Sequence, residues 1–381
     1  MQRRGFLRSA ALGSGALMVA PRLVLANVET ERRFVFIIQR GAADGLDTVI
    51  PYADPALATL RGALGVGSQG MHKLDGTFAL HPSLAGLSGL YARGEALFVH
   101  AVASPYRERS HFDGQNVLES GGASPYALRD GWLNRLTTLL PASREEAIAF
   151  APTIPLALRG ETEVASYAPS GLPEAPDDLL ARVGDLYDSD PQFHALWASA
   201  MRTRELAQDA AKRQDPATVG RTAGGILARA DGPRIAMIET SGWDTHAGQK
   251  SRLATQLRGL DTLIAALRER LGAAWADTTV LVATEFGRTA AVNGTGGTDH
   301  GTASAALLLG GAVRGGRVVA DWPGLSAGAL YEGRDLRPTL DLDGLIAVAA
   351  AESLHLDPER AMHTLFPGRP FNPNLAGLVG A

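Results

Sequence analysis

Cysteine is absent from the chain. Disulfides, thiolate metal sites and cysteine-ligated iron–sulfur clusters are therefore excluded, and stability in an oxidising compartment has to come from the core alone. Aromatic residues are sparse at 6%, whereas 44 glycines point to a fold with many tight strand-to-helix turns. An excess of positive charge is lacking too. The formal net charge is −4, so the surface has no general attraction for nucleic acid or anionic lipid. Any anionic ligand has to be held by a local site. Heptad or solenoid repeats and low-complexity tracts do not occur.

The first 26 residues do not read as part of a fold. "MQRRGFLRSAALGSGALMVAPRLVLA" carries an arginine pair, Phe6 and Leu7, a modest apolar stretch and small residues near Ala26. This is the pattern of a twin-arginine export signal cleaved after Ala26, and it implies a periplasmic or secreted protein. Its apolar part is too short and too rich in Gly and Ala for a membrane span. Removing it takes four arginines and no acid, leaving 32 basic against 40 acidic residues, a net of −8.

In the remainder, short apolar runs alternate with stretches of helical spacing. Strands are predicted at 34–38 ("FVFII"), 97–102 ("LFVHAV"), 235–239, 279–284 ("TVLVAT"), 305–309 and 317–320, with a further one at 153–158. Leu253, Leu257, Leu260, Leu263, Ile264 and Leu267 recur at helical spacing within 251–271, and 341–354 reads as another helix. Apolar strands separated by helices imply an α/β fold, a mostly parallel central sheet flanked by helices on both faces. Residues 27–381 are expected to form this domain. The charged, alanine-rich segment 151–232 reads as a helical insertion or cap with proline-marked boundaries.

In such sheets ligands bind beyond the carboxyl ends of the strands, and polar clusters fall there. After the first strand comes "QRGAADGLD", with Arg40, Asp44 and Asp47. Asp44 is a candidate site residue, although Asp-Gly is also a good turn. After 97–102 comes "SHFDGQNVLESG". Ser110 there is either the cap of a helix, with Asp113 three residues on, or a nucleophile at a helix N-terminus that suits an oxyanion. His111 is a second ligand or an acid. "GWDTH" places Asp244 and His246 at i and i+2, where an extended segment directs both to one side and both can close on one cation. "TEFGRT" adds Glu285 as a metal ligand and Arg288 as a grip for an oxyanion. "TGGTDHG" adds His300 in a glycine-rich loop able to approach a ligand closely. Each motif alone also has a structural reading, as a turn, a cap or an ion pair.

Together, "RGAADGLD", "SHFDGQNVLESG", "GWDTH", "TEFGRT", "TDHG" and "DLRPTLD" resemble, in order, the bacterial family catalogued as domain of unknown function 1501. That family is similar to the alkaline phosphatase superfamily, which includes phosphatases and sulfatases. The resemblance implies a central mostly parallel sheet and metals at its carboxyl edge. It also implies a nucleophile in the place of Ser110, a metal pair in Asp244 and His246, a further carboxylate in Glu285 and a late histidine in His300. Two departures stand out. Gln39 and Arg40 occupy the place of the superfamily's first-strand aspartate, and Glu285-Phe286 stands where Asp-His is usual. The second metal site is therefore expected to be altered, single or absent.

The function expected on this basis is metal-dependent hydrolysis of a small-molecule phosphate or sulfate ester. Ser110, Arg288 and His111 are the catalytic candidates. Asp244, His246, His300, Glu285 and Asp44 are the metal-ligand candidates for one or two divalent ions, zinc or manganese. Two alternatives are a non-catalytic exported binding or assembly protein on the same scaffold, and a metalloenzyme of another reaction class.

Overall fold

The structure, a computed structural model, describes residues 30–67, 70–140, 147–168, 177–187, 190–206 and 215–380. The segment read as an export signal lies outside them. The central sheet contains β1 (Arg33–Gln39), β2 (Ala96–Ala103), β3 (Ala147–Phe150), β4 (Ala165–Ser166), β5 (Ile235–Thr240), β6 (Thr278–Ala283), β7 (Ser304–Leu309), β8 (Arg317–Val319) and β9 (Leu340–Asp341). Their order is β8-β2-β7-β6-β1-β5-β3-β4, and β9 also pairs with β2, beyond β8. All pairings are parallel except those of β7, which runs against both β2 and β6.

β1 shows why this chain builds such a sheet. Every residue of "RFVFIIQ" is buried, as a central strand covered on both faces requires. Phe34, Phe36 and Ile38 join one core cluster with α4 (Trp132–Thr137), α9 (Leu342–Ser353) and α10 (Pro358–Leu365). Val35 and Ile37 join the other, with α2 (Ala85–Ala92), α7 (Pro216–Leu227) and α8 (Gln249–Leu271). The alternation of side chains along a strand thus feeds two helical layers. Trp132 sits edge-on to Phe34 and Phe36, at ring distances of 6.4 and 5.0 Å, and donates its indole N–H to Leu118.

The predicted 251–271 helix is present as α8, and its expected apolar stripe is buried. α7 lies unusually close to it. A Cβ on Gly220 would stand 2.3 Å from the Leu263 carbonyl, and one on Gly224 2.7 Å from that of Leu267. Within 151–232, α5 (Asp177–Tyr187) and α6 (Pro191–Leu206) pair with each other, β4 extends the main sheet, and α7 covers it.

The strand predicted at 153–158 is not formed. Leu156–Leu158 is a 3-10 turn, and the strand lies just before it, at β3. Pro152 and Pro155 leave this stretch without two ladder donors. β3 itself is a short run of Ala, Ile, Ala and Phe, which carries little intrinsic strand signal.

One buried histidine gives the fold a pH dependence. His100 on β2 is fully buried, stacked on Phe78 and edge-on to Trp322. Its Nε2 donates to the Val49 carbonyl at 2.8 Å, and its Nδ1 accepts the Ala101 N–H. Burial lowers its pKa to about 4, against hydrogen bonds that act to raise it. The unfolded chain therefore binds the proton first, and stability falls as pH drops from about 6.5 toward 4. Between pH 7 and 4.5 we expect a loss of about 2–3 kcal/mol from this residue. Urea titrations at both pH values check it, since the loss should shrink in His100→Gln. An equal loss in that variant would assign the effect elsewhere.

Candidate metal centre

The polar clusters meet at one edge of the sheet. The segments after β1, β2, β5 and β6 leave from the carboxyl ends, and β7, running the other way, brings the loop before it to that edge. The loop 284–303 is pinned on itself: Arg288 and His300 form an antiparallel bridge, and the Gly287 and Gly301 N–H groups donate to Thr302 and Gly287. Such closeness requires glycine. A Cβ on Gly301 would lie 2.3 Å from the Arg288 carbonyl carbon, and one on Gly297 2.3 Å from the Thr245 oxygen. "TGGTDHG" is thereby pressed against "WDTH".

Three imidazoles converge on Asp244. His246 Nε2 lies 3.0 Å from Asp244 Oδ1, His300 Nε2 lies 3.4 Å from the same oxygen, and the two Nε2 atoms are 3.0 Å apart. His111 Nε2 lies 3.5 Å from Asp244 Oδ2. His111, Asp244 and His300 each offer a ligand atom within 4.8 Å of the others.

Each ring is held from its far side. Nδ1 of His111 bonds to Glu285 at 2.8 Å, that of His246 to Asp299 at 3.0 Å, and that of His300 to the Arg109 carbonyl at 2.9 Å. A carbonyl or carboxylate can only accept, so each Nδ1 carries the hydrogen. In the neutral rings each Nε2 then presents a lone pair. Lone pairs of His246 and His300 face each other and a carboxylate oxygen, while the buried Nε2 of His111 has no hydrogen-bond partner among the described residues. Only cations resolve such a cluster of acceptors. A proton satisfies one pair of them, whereas a metal satisfies the whole set. Zinc with bonds of about 2.0–2.1 Å places neighbouring ligand atoms about 3.3 Å apart, close to the spacings seen here. The donor set thus fits a divalent ion, and the outer hydrogen bonds are those that orient metal-bound histidines.

The electrostatics agree at Asp244 and His300 and run the other way at His111. Burial would raise the Asp244 carboxyl, but the Arg288 hydrogen bond at 2.7 Å and its charge hold it below the ordinary value. His300 is lowered, mainly by burial, which favours the neutral ring a metal needs. His111 is raised, chiefly by its bond to Glu285.

Other expected residues stand one step back. Glu285 is fully buried and accepts from His111, Gln115 and the Gly41 N–H. It braces a donor and is outside the converging group. Arg288 is also buried, bonded to Asp244 and to Thr298. Asp44 lies apart: it caps Gly45–Thr48 and is bonded by Arg61 and Gln249. Ser110 is the N-cap of α3 (His111–Ser120), yet its hydroxyl makes no capping bond. Asp299 and Gln115 were not singled out in the sequence. Asp299 lies within "TDHG", and its adjacency to His300 was the available signal; Gln115 carried none.

The family described as protein of unknown function (DUF1501) matches residues 31–366. The chain belongs to that family. A search of curated proteins finds no match. Solved structures similar to this family member include three proteins. The C-terminal periplasmic domain of EcEptC from Escherichia coli, in complex with Zn, is 10% identical (75% of this chain, 74% of that one, TM-score 0.39). BT1596, a 2-O GAG sulfatase, is 10% identical (90% and 76%, TM-score 0.44). A protein in the alkaline phosphatase superfamily from Vibrio parahaemolyticus is 13% identical (75% and 62%, TM-score 0.35). Among the described residues no helix is long and apolar enough to cross a membrane.

Proposed function

We propose that this protein is an exported, metal-dependent hydrolase of small phosphate or sulfate esters. The observation that carries the proposal is the convergence of three tethered imidazoles on one carboxylate. Asp244, His246, His300 and His111 would hold the ion, and so imidazole-rich a set favours zinc over manganese. A bound divalent ion supplies charge stabilisation to an ester oxyanion and makes a nearby hydroxyl easier to ionise.

The chain's own residues supply the rest. Glu285, Asp299 and the Arg109 carbonyl fix the three ring orientations. Arg288 keeps Asp244 ionised and in place. Phe286 stacks on His111 at 5.1 Å and screens that side from water. Ser110 stands at the N-terminus of α3, where unpaired N–H groups and the helix dipole favour an anion. It is the candidate nucleophile, and its hydroxyl is not spent on capping.

That last point separates the two roles of Ser110. Ser110→Ala is expected to lower turnover of an aryl phosphate or sulfate by at least about a thousandfold. Metal content and melting temperature should stay at wild-type levels. If Ser110 were only a cap, turnover would persist and stability would fall by about 1 kcal/mol.

A further inference from the structure

A cavity opens at the same sheet edge, where β3 and β5 end. Its volume is about 360 Å³, and none of the four proposed metal donors lines it. The volume suits one small organic molecule. Phe150, Tyr167, Trp243 and Leu260 provide apolar and aromatic wall, while Glu239 and Gln256 provide polar contacts. The α7 flank is closely packed, because α7 approaches α8 through the glycines described above.

The charge of the cavity narrows its ligand. Arg40 is the one cation lining it among the described residues. That guanidinium is already committed: Nη1 bonds to Gln115 and Glu119, and Nη2 to Glu239 at 2.5 Å. Two carboxylates thus share one guanidinium, leaving a net negative charge. Glu239 keeps 28% of its side chain exposed, and its second oxygen has no partner among the described residues. An anion entering here would meet that carboxylate with no free cation among the described lining residues to offset it. A flat ring bearing an ammonium group would instead find aromatic wall and a charge-assisted acceptor.

We infer that this cavity is a binding site for a small ring-bearing molecule with a cationic group, distinct from the metal centre. The site is joined to that centre by hydrogen bonds. Arg40 bonds to Gln115, Gln115 to Glu285 at 3.0 Å, and Glu285 to His111. Trp243 in its wall is the chain neighbour of Asp244.

Three probes that share an indole ring test the inference: tryptamine (cationic), tryptophol (neutral) and indole-3-acetate (anionic), titrated by calorimetry into the full protein. Tryptamine should bind about tenfold more tightly than tryptophol, the gain of a charge-assisted over a neutral hydrogen bond, and indole-3-acetate most weakly. Glu239→Gln should erase the tenfold advantage while tryptophol still binds. Thr222→Trp on α7, which lines the cavity and is half-buried, should abolish binding of all three. If that variant fails to fold, Ser241→Trp at the exposed rim serves the same purpose. His300→Ala should bind tryptamine like wild type, so the outcome is independent of the proposed hydrolysis. Tighter binding of indole-3-acetate, no binding of any probe at millimolar concentration, or wild-type binding by a folded blocking variant would each overturn the inference.

Discussion

His300→Ala is expected to empty the metal centre and to lower turnover of an aryl phosphate or sulfate by at least about a thousandfold, since metal assistance contributes several kcal/mol to such reactions. The reasoning is geometric. His300 Nε2 lies 3.0 Å from His246 Nε2 and 3.4 Å from Asp244 Oδ1, which are themselves 3.0 Å apart, so its loss takes one corner from the donor set. Replacing an outer partner should act more gently. Asp299→Asn keeps a hydrogen-bond acceptor on His246 Nδ1 but removes its charge, and the expected cost is about 10–100-fold in metal affinity. Elemental analysis of both variants, alongside the wild type purified from its native compartment, checks this ranking. Equal metal content in all three would remove the metal from these residues.

The second large effect concerns stability. Arg61 is fully buried, and it bonds Asp44, Asp47 and the Thr289 carbonyl. Arg61→Met should cost about 3–5 kcal/mol, because it strands two buried carboxyls without their counter-charge. Burial alone would raise Asp44, but Arg61 keeps it low. Asp47 is already pushed up to about 6, first by burial and also by Asp44. A carboxyl with a raised folded pKa favours the protonated native state, so its contribution weakens as pH rises from about 3.8 through 6. Without Arg61 both groups shift further in that direction. The penalty of Arg61→Met should therefore grow between pH 4 and pH 8, and adding Asp44→Asn should recover part of it at pH 8. Urea denaturation at the two pH values measures both effects. A penalty that is small, or that does not change with pH, would contradict the account.

These two clusters are connected, and the connection was invisible in the sequence. Gln249 donates to Asp44 and Asp47, and it accepts from Thr245 and Thr298. Thr298 in turn accepts from Arg288, which holds Asp244. Gln249 stands two residues before the predicted 251–271 helix and carries no signal of its own in the sequence. By contrast, the strands were legible, because continuous burial writes continuous apolar runs such as 34–38. The proposed donors were legible as polar residues beyond strand ends. Their assignment was not. A carboxylate that would ligate and one that would brace a proposed donor are the same letter, and only the fold reveals the 2.8 Å bond between Glu285 and His111 Nδ1. Asp44 likewise reads as a ligand or a cap, and its bond to Arg61 depends on a contact that spacing does not encode. β3 escaped because four residues, two of them alanine, owe their strand form to β5 beside them.

The reversed direction of β7 also sets an order in time. The four proposed donors are spread from His111 through Asp244 and His246 to His300, and the last of them stands on the loop that enters β7 from the carboxyl edge. A growing chain emerges from its N-terminus, so the donor set stays incomplete until β7 has followed β6 and turned back into the sheet. Until then His246 and Asp244 lack the neighbour that closes the cluster. The proposed centre is thus complete only in the finished sheet, after synthesis has passed the one strand that, among the described residues, runs against its neighbours in the central sheet.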